Sequence, residues 1–437
     1  MNPSISNAAI GDNLADSADA VYKRIALRFI PLLFICYVMA YLDRVNVGFA
    51  KLQMVSDLQF SEAIYGLGAG VFFVGYFLFE VPSNLLLHKL GARRWIARIM
   101  ISWSLLSMCT AWVGTPFQLY VVRFFLGVAE AGFYPGMLLY LTYWFPAHRR
   151  GRMVALLTAG NPVSGMLGGP LSGYIMTSMA GVLGMYGWQW LFILEAIPGI
   201  LLGVIVFRHL NDRVADAAWL SQEERAIVQR EIDLDDNVKT HGSVSAVFKS
   251  GRVWLLALIL FCIIMGSYAL SFWQPTIIKG TGITDPTLIG VLTVIPYTAA
   301  LISMILMGRS ADKRRERRWH VIIPALFAAC GFVLCANMAH SSVMSVVGLT
   351  MVAMGIVSAL PMFWALPTSF LGGAGAAAGI ALINSTANLA GFVSPTVIGW
   401  LKGMTGTLSS GLYLVAGTLT LAAFLVWAFI PARLVNR

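Results

Sequence analysis

Apolar runs long enough to cross a lipid bilayer recur about twelve times along this chain of 437 residues. A membrane-spanning helix needs about 20 mostly apolar residues. Because a bilayer offers no water to the backbone, such runs have to cross it as helices. The sequence therefore predicts an all-α, polytopic membrane protein with 12 transmembrane helices. The predicted spans are 27–49, 63–87, 95–115, 117–144, 153–178, 188–208, 253–274, 287–308, 320–339, 343–367, 376–401 and 411–431.

Composition excludes the other broad classes of protein. Charged residues make up 11% of the chain, whereas soluble domains carry about 25%, so these charges are too few to cover a soluble surface. An aromatic content of 12% excludes a disordered chain. The five cysteines all lie in apolar stretches without a Cys-x-x-Cys pair, which excludes a disulfide scaffold and the common zinc and thiol-redox sites.

The distribution of basic residues predicts the orientation. With the N-terminus inside the cell, the termini and the short cytoplasmic loops hold 18 Lys and Arg, and 3, namely Lys51, Lys279 and Lys402, lie at the opposite side. Cytoplasmic loops of membrane proteins carry the excess of positive charge. We therefore expect a multi-pass protein of the cell inner membrane, surrounded by lipid, with both termini in the cytoplasm. The net charge of +10 is then a consequence of topology and does not indicate a nucleic-acid partner.

One long charged segment predicts the domain organisation. Residues 209–250 separate a six-helix bundle over 1–208 from a second over 251–437, and residues 1–22 form a polar cytoplasmic leader that we expect to lack regular structure. Within the segment, Ser221 precedes Glu223 and Glu224, the pattern of a helix N-cap followed by acidic residues in the first turn. We expect a solvated, amphipathic linker helix there.

The two halves repeat weakly. His88 and Asp312, in the loops after spans two and eight, lie 224 positions apart, and Gly165 and Gly391, in spans five and eleven, lie 226 apart. Two features with nearly the same offset indicate duplicated six-helix halves. Repeats of this kind place a substrate site near the bilayer midplane, between the halves.

Ionisable side chains inside the predicted spans are few, and in a membrane they are costly and usually functional. They are Asp43, Arg44, Glu80, Arg123, Glu130 and Glu195. Arg123, Gly127, Glu130 and Tyr134 share one helix face, with Arg123 and Glu130 roughly 10 Å apart along the axis. Adjacent residues point about 100° apart, so we expect one of Asp43 and Arg44 to face a cavity and the other a partner helix. For Arg123 and Glu130 the alternative is a fixed buried ion pair that only holds helices together. For Asp43 and Arg44 it is a cluster at the membrane interface, with side chains that extend toward water.

Two buried arginines suit a carboxylate substrate, because a guanidinium stays charged and matches carboxylate geometry bidentately. We expect Glu80 and Glu195, which precede Pro82 and Pro198, to bond to exposed backbone or to act at a helix end.

The loops after spans two and eight carry a motif that resembles the signature of the major facilitator superfamily, and the resemblance covers essentially the whole chain. The first copy reads His88-Lys89-Leu90-Gly91-Ala92-Arg93-Arg94 and the second reads Gly308-Arg309-Ser310-Ala311-Asp312-Lys313-Arg314. His88 replaces the usual Asp, and Arg315 stands where Gly is common. The resemblance implies two pseudo-symmetric six-helix bundles and a gating role for His88, Arg93, Asp312 and Arg314.

Within that superfamily the chain is similar to the anion:cation symporters. Four segments carry this similarity: Tyr41–Asn46, Arg123–Ala131, Trp144-Phe145-Pro146 and Ser271-Phe272-Trp273. The similarity implies that Arg44 and Arg123 contact the anion and that Asp43 and Glu130 couple its transport to protons.

Uncharged candidates for the substrate site accompany these charges. Tyr41 shares a helix face with Arg44, Tyr76 lies one turn before Glu80, and the resemblance supports four more positions. These are Asn161, Trp364, Asn384 and Ser385. For each of them, ordinary packing or an interhelical hydrogen bond is the alternative.

These features together predict proton-coupled symport of a small organic carboxylate into the cell by alternating access. Moving one charge against the membrane potential costs about 2.3 kcal/mol per 100 mV, so accumulation of an anion needs co-transported cations. We hypothesise that protonation of Glu130 frees Arg123 to bind the carboxylate. The substrate stays open among aromatic monocarboxylates, hydroxy acids and sugar acids, and a monomer is expected.

A drug/proton antiporter is the alternative function, because span five reads Gly165-x-x-x-Gly169-Pro170-x-x-Gly173, close to an antiporter motif, although close helix packing also explains such glycines. A sensor built on the same fold is a further alternative. We find no motif of an enzyme, a cofactor site or a metal site in the sequence.

Overall fold

The computed structural model describes residues 3–237, 249–370 and 373–432. Within these ranges every regular element is a helix. Residues 238–248 of the predicted linker and the last five residues lie outside the described ranges.

Eight α-helices form the first half of the chain. They are α1 Pro3–Asp57, α2 Glu62–Leu90, α3 Ala92–Cys109, α4 Pro116–Glu130, α5 Phe133–Thr142, α6 Ala147–Thr158, α7 Gly160–Ser178 and α8 Gly187–His209. Helices α4 and α5 together make the predicted fourth span, and α6 and α7 make the fifth. The predicted spans one to six are thus all helical, two of them with a break.

The linker helix and seven further helices complete the described chain. They are α9 Gln222–Asn237, α10 Gly251–Gly280, α11 Pro286–Arg314, α12 Trp319–Asn337, α13 Ser342–Phe370, α14 Gly373–Asn388, α15 Ala390–Thr405 and α16 Ser409–Phe429. Helices α14 and α15 together form the eleventh predicted span. The predicted 12-span, two-bundle architecture is confirmed.

Nine stretches in the described ranges are long and apolar enough to cross a membrane, when α4 and α5 are counted as one stretch. The other three predicted spans are not among them. Helix α3 carries Arg93, Arg94 and Arg98. In the fifth span α6 is short and α7 is rich in glycine, and the eleventh span is divided into two helices of 16 residues.

Helix α1 begins at Pro3, so the leader that we expected to lack regular structure is helical. The polar character of residues 1–22 led to the wrong expectation. The leader is rich in alanine, including Ala8, Ala9 and Ala15, and alanine has the highest helix propensity.

The break in the fourth span is built into its sequence. Gly132 has φ +82°, a left-handed conformation that favours glycine, and a Cβ there would lie 2.5 Å from Ser83 Oγ of α2. Helix α4 therefore ends at Glu130, which leaves a carboxylate at a helix C-terminus, where the helix dipole disfavours negative charge.

The linker helix α9 packs on the first bundle. Its N-terminus is capped as predicted: Ser221 Oγ accepts from Glu224 N at 3.2 Å, and Ser221 N donates to the Glu224 carboxylate at 2.9 Å. Glu224 also pairs with Arg24 of α1. We call the end of the bundles that carries this segment the linker end, and the other the far end.

Contacts between the two bundles concentrate at the far end. Helix α2 packs on α15, and α7 packs on α11. Tyr65 Oη donates to Phe272 O at 3.2 Å, and Thr287 Oγ1 donates to Thr177 Oγ1 at 3.0 Å. The bundles are thus joined at the far end in this conformation.

Candidate functional site

A buried ion pair between α1 and α4 lies at the centre of the first bundle. Arg44 donates to Glu130, which is 1% exposed, and the guanidinium itself is 13% exposed. The aromatic rings of Tyr41, Phe72 and Tyr76 surround the guanidinium, with centroids 5.3, 5.4 and 5.4 Å from its Cζ. The pair offsets the unfavourable position of Glu130 at the end of α4, and the rings stabilise the cation.

Asp43 points away from its neighbour Arg44, as the helix geometry predicted. Its Oδ1 accepts from Ser107 Oγ of α3 and, at 3.4 Å, from Asn46 Nδ2. The carboxylate is buried, with 3% of the residue exposed. Arg44 therefore faces the interior between α1, α2 and α4, and Asp43 faces a partner helix.

Arg123 of α4 is the most unusual side chain of the first bundle. It is completely buried, and none of its three guanidinium nitrogens has a hydrogen-bond partner among the described residues. Its nearest ring is that of Phe72, with the centroid 5.1 Å from Cζ. Asp43 and Glu130 lie within electrostatic range. A buried guanidinium with unmade hydrogen bonds is costly.

Close approach of α2 and α4 positions these groups. Gly127, one turn after Arg123, faces the backbone of α2 so closely that a Cβ would overlap Phe72 O and lie 3.0 Å from Tyr76 N. Only glycine permits this distance. The ring of Phe72 contacts both arginines, with its centroid 5.4 Å from Arg44 Cζ and 5.1 Å from Arg123 Cζ.

Three tyrosines that the sequence analysis did not include in the site extend this aromatic lining. Tyr37 packs against Tyr41 and Tyr134, with centroids 5.2 and 5.3 Å apart, and Tyr268 of α10 packs on Phe73 at 4.4 Å. Tyr37 lies four residues before Tyr41, so helical spacing could have identified it. Nothing in the sequence indicated that Tyr268 of the second bundle packs next to these rings.

The four uncharged candidates chosen by resemblance lie on helices other than those of the two arginines. Asn161, Trp364, Asn384 and Ser385 are half-buried on α7, α13 and α14. In the part of the chain that the structure describes, no hydrogen bond joins Asn161, Asn384 or Ser385 to either arginine. Their place in the substrate site stays a prediction.

Glu195 and Glu80 are both buried inside the first bundle. Glu195 of α8 accepts from Ser172 Oγ of α7 at 2.7 Å, so it bonds to a side chain and not to exposed backbone. Glu80 is 7% exposed and lies in electrostatic range of Arg44.

Two of the four predicted gating residues form described hydrogen bonds, and neither bond joins the first bundle to the second. Arg93 N donates to Asp212 Oδ1 at 2.8 Å, and Asp312 accepts from Arg317 Nη2 at 2.6 Å. His88 and Arg314 are exposed. Asp212, which the sequence analysis missed, places a carboxylate at the start of α3, next to the loop where His88 replaces the usual Asp.

The described ranges also contain a cavity that lies apart from the two arginines. A cavity of about 860 Å³ lies between α1 and α6 at the linker end, with Lys23, Arg149 and Arg152 among its lining residues and none of the predicted substrate residues. No group of three or more His, Cys, Asp or Glu side chains within these ranges could hold a metal ion.

The chain was compared with known proteins. It is 48% identical to a Pseudomonas putida protein provisionally named metabolite transport protein NicT, over 99% of this chain and 100% of that one. It is 47% identical to an Agrobacterium vitis protein provisionally named a tartrate transporter, over 93% and 90%. It is also 42% identical to a quinolone resistance transporter of Acinetobacter baumannii, over 90% and 91%.

The fold is also that of solved transporters. The crystal structure of a D-xylose-proton symporter superimposes with a TM-score of 0.72, at 16% identity and over 93% of this chain and 98% of that one. The relatives are transporters and not enzymes. Their names are consistent with the anion:cation symporter branch, which the motifs indicated. Residues 33–395 match the family model described as the Major Facilitator Superfamily. The chain is therefore a member of the major facilitator superfamily.

Proposed function

We propose that this protein imports a small organic carboxylate together with protons, by alternating access of one central site to the two sides of the membrane. The observation that carries the proposal is Arg123, a fully buried guanidinium whose three nitrogens have no described hydrogen-bond partner. A carboxylate supplies the negative charge and the paired acceptors that this group lacks. The tartrate transporter among the relatives supports this class of substrate.

Arg44 and Glu130 supply the coupling to protons in this proposal. Glu130 pairs with Arg44 and not with Arg123. We therefore revise the hypothesis, made from the sequence, that protonation of Glu130 frees Arg123. Protonation of Glu130 removes its charge and releases the Arg44 guanidinium, which then joins Arg123 on the substrate carboxylate. Asp43, held by Ser107 and Asn46, is the second proposed proton site.

The charge balance explains why the two events occur together. Protonation of Glu130 without substrate removes one of the carboxylate charges near the two buried arginines, which leaves Asp43 and, within range of Arg44, Glu80. Binding of one substrate carboxylate restores the negative charge that was lost. Since an uncompensated buried charge is costly, closure around the site is favoured only when both the proton and the anion are present.

The membrane orientation follows the positive-inside rule in this proposal, with the linker end in the cytoplasm of a bacterium and the far end outside. The bundles 1–208 and 251–437 are the moving units. The joined far end then corresponds to a state closed to the outside, and import requires that this end opens.

Uptake by reconstituted protein tests the proposal. Purified protein in liposomes is given an inward proton gradient and a panel of labelled acids, namely benzoate, nicotinate, tartrate and galactonate. We expect gradient-driven accumulation of at least one acid, loss of that uptake in Arg123→Gln, and normal uptake in the matched control Arg208→Gln, whose side chain is exposed at the end of α8. Absence of uptake for all acids by the wild-type protein contradicts the proposal.

The quinolone resistance transporter among the relatives favours a drug/proton antiporter as the second candidate. The glycine run of span five does not add support, because Gly169 and Gly173 lie against the backbone of α11 at Gly290 and Pro286. Packing thus explains these glycines. Uptake of a labelled acid and of a fluorescent quinolone, each in right-side-out and inverted vesicles, separates the two functions by substrate and direction.

A further inference from the structure

Four charged side chains join the two bundles at the far end. Glu62, the first residue of α2, contacts Lys51 Nζ of α1 at 2.7 Å and Lys402 Nζ of α15 at 2.5 Å. Lys279 Nζ, near the end of α10, donates to Leu52 O of α1 at 2.5 Å. Lys51 and Glu62 belong to the first bundle, and Lys279 and Lys402 to the second.

Trp273 of α10 lies beneath this cluster and contacts both bundles. Lys51 Nζ is 3.6 Å and Lys402 Nζ 5.9 Å from the centroid of its ring. Tyr65 of α2 packs against the same ring edge-to-face, with centroids 5.6 Å apart. The cluster is thus a closed, partly buried junction, in which one carboxylate balances two lysines.

Separation of the bundles at this end divides the charges unequally. Lys51 keeps Glu62, because both belong to the first bundle. Lys402 loses Glu62, and Lys279 loses Leu52 O, because these partners move away with the first bundle. The opened wall of the second bundle then carries two lysines without their partners. Asp57 and Asp285 are also at this end, but Asp57 accepts from Trp188 and Asp285 caps α11.

Two buried hydrogen-bond donors lie on α10, the helix that also carries Lys279. Trp273 is fully buried and Gln274 is 2% exposed, and neither Trp273 Nε1 nor Gln274 Nε2 has a described acceptor. Buried N–H groups are nearly always satisfied in folded proteins. Trp273, whose ring centroid lies 5.9 Å from Lys402 Nζ, thus adds an unsatisfied donor to a wall that carries two lysines, and this combination favours an anion as the group that completes the wall.

We propose that Lys279, Lys402, Trp273 and Gln274 form an access site for the carboxylate, which exists only when the far end is open. The site rests on the proposed function, since it receives the same anion before the anion reaches Arg44 and Arg123. Glu62 acts as a switch: it neutralises Lys402 in the closed state and leaves it available in the open state. The lysines thus attract substrate in the state that can accept it.

Two substitutions that break the same ion pair test the site. Glu62→Gln and Lys402→Gln both remove the contact between α2 and α15, but only Lys402→Gln removes an anion-binding group. We expect Lys402→Gln to raise the KM for uptake from the far side by about tenfold, as loss of a charged hydrogen bond does, whereas Glu62→Gln leaves this KM unchanged or lowers it. The probe is the labelled acid that the wild-type protein accumulates.

Further variants separate binding from folding. We expect Lys402→Arg, which keeps the positive charge, to have a KM close to that of the wild type. We expect Lys279→Gln to raise the KM, as Lys402→Gln does. The uptake rate of the wild type falls with added salt, and the double variant Lys279→Gln/Lys402→Gln loses this dependence. The KM for export, measured in inverted vesicles, is expected to be the same in all variants.

The outcomes distinguish the two proposals. If the wild type accumulates no acid, the proposed function fails. If it accumulates one, and Glu62→Gln and Lys402→Gln change the KM alike, the ion pair is only a mechanical latch and the access site is overturned. An unchanged salt dependence in the double variant overturns it as well.

Discussion

At the residue scale, the first bundle keeps its buried charges in two different states. Arg44 and Glu130 form an ion pair inside a ring of aromatic side chains, although Arg44 Nε and Glu130 Oε2 have no described hydrogen-bond partner. None of the three guanidinium nitrogens of Arg123 has one. An ion pair beside a cation without a hydrogen-bond partner is the arrangement that the proposed exchange of partners during a cycle requires.

Substitution of Glu130 tests which group carries the proton. Glu130→Gln mimics the protonated carboxyl and leaves Arg44 permanently free of its pair. We expect exchange of labelled for unlabelled acid to continue while accumulation driven by a proton gradient is lost. Both are measured in the same proteoliposomes. Full accumulation by the variant would contradict the assignment, and Glu223→Gln on the linker helix serves as the control.

The sequence gives a physical reason for choosing the charged candidates of the site and little reason for choosing the uncharged ones. Arg44, Arg123, Asp43 and Glu130 stand out because charges are rare in apolar spans, and helix geometry alone separated Asp43 from Arg44. The pairing of Glu130 with Arg44 could not be derived, because it depends on how α1 and α4 face each other. Neutral side chains such as Asn384 have no comparable signal, since similar residues occur throughout the spans.

At the scale of elements, glycines determine how closely the helices of the two bundles approach. A Cβ at Gly169 of α7 would lie 2.6 Å from Gly290 O of α11 and would overlap Thr293 Oγ1. The predicted spans were confirmed as helices, but the breaks inside spans four, five and eleven were not predicted. Apolar runs report the total length of a span, whereas a break depends on local backbone conformation, as at Gly132.

Substitution of Gly169 tests this packing. We expect Gly169→Ala to lower the free energy of unfolding by about 1–3 kcal/mol, as overpacking does, because the added methyl group meets backbone. In contrast, Gly417 of α16 has no atom within 4 Å of such a Cβ, so Gly417→Ala should be neutral or stabilising by up to about 1 kcal/mol. Thermal unfolding in detergent measures both, and equal effects of the two variants would contradict the packing argument.

At the scale of the whole molecule, the contacts between the bundles concentrate at the far end, and alternating access requires that they open. Thr177 and Thr287 lie across this junction with their hydroxyl oxygens 3.0 Å apart. Thr281 and Ser342 are equally close, with oxygens 2.8 Å apart, but both belong to the second bundle.

Cross-linking tests the movement. In a background without the native cysteines, the pair Thr177→Cys/Thr287→Cys should form a disulfide that stops uptake, and reduction should restore it. The pair Thr281→Cys/Ser342→Cys should form its disulfide without loss of uptake, because it joins residues that move together. Normal uptake by the cross-linked Thr177/Thr287 variant would contradict alternating access through this end.

The central claim is that two buried guanidinium groups bind the carboxylate of the substrate. The most direct measurement is calorimetric titration of the purified protein with the transported acid and with its neutral carboxamide. We predict that the wild type prefers the acid by at least about tenfold, as charged hydrogen bonds imply, and that Arg44→Gln and Arg123→Gln each lose most of this preference. Unchanged preference for the acid in both variants would contradict the account.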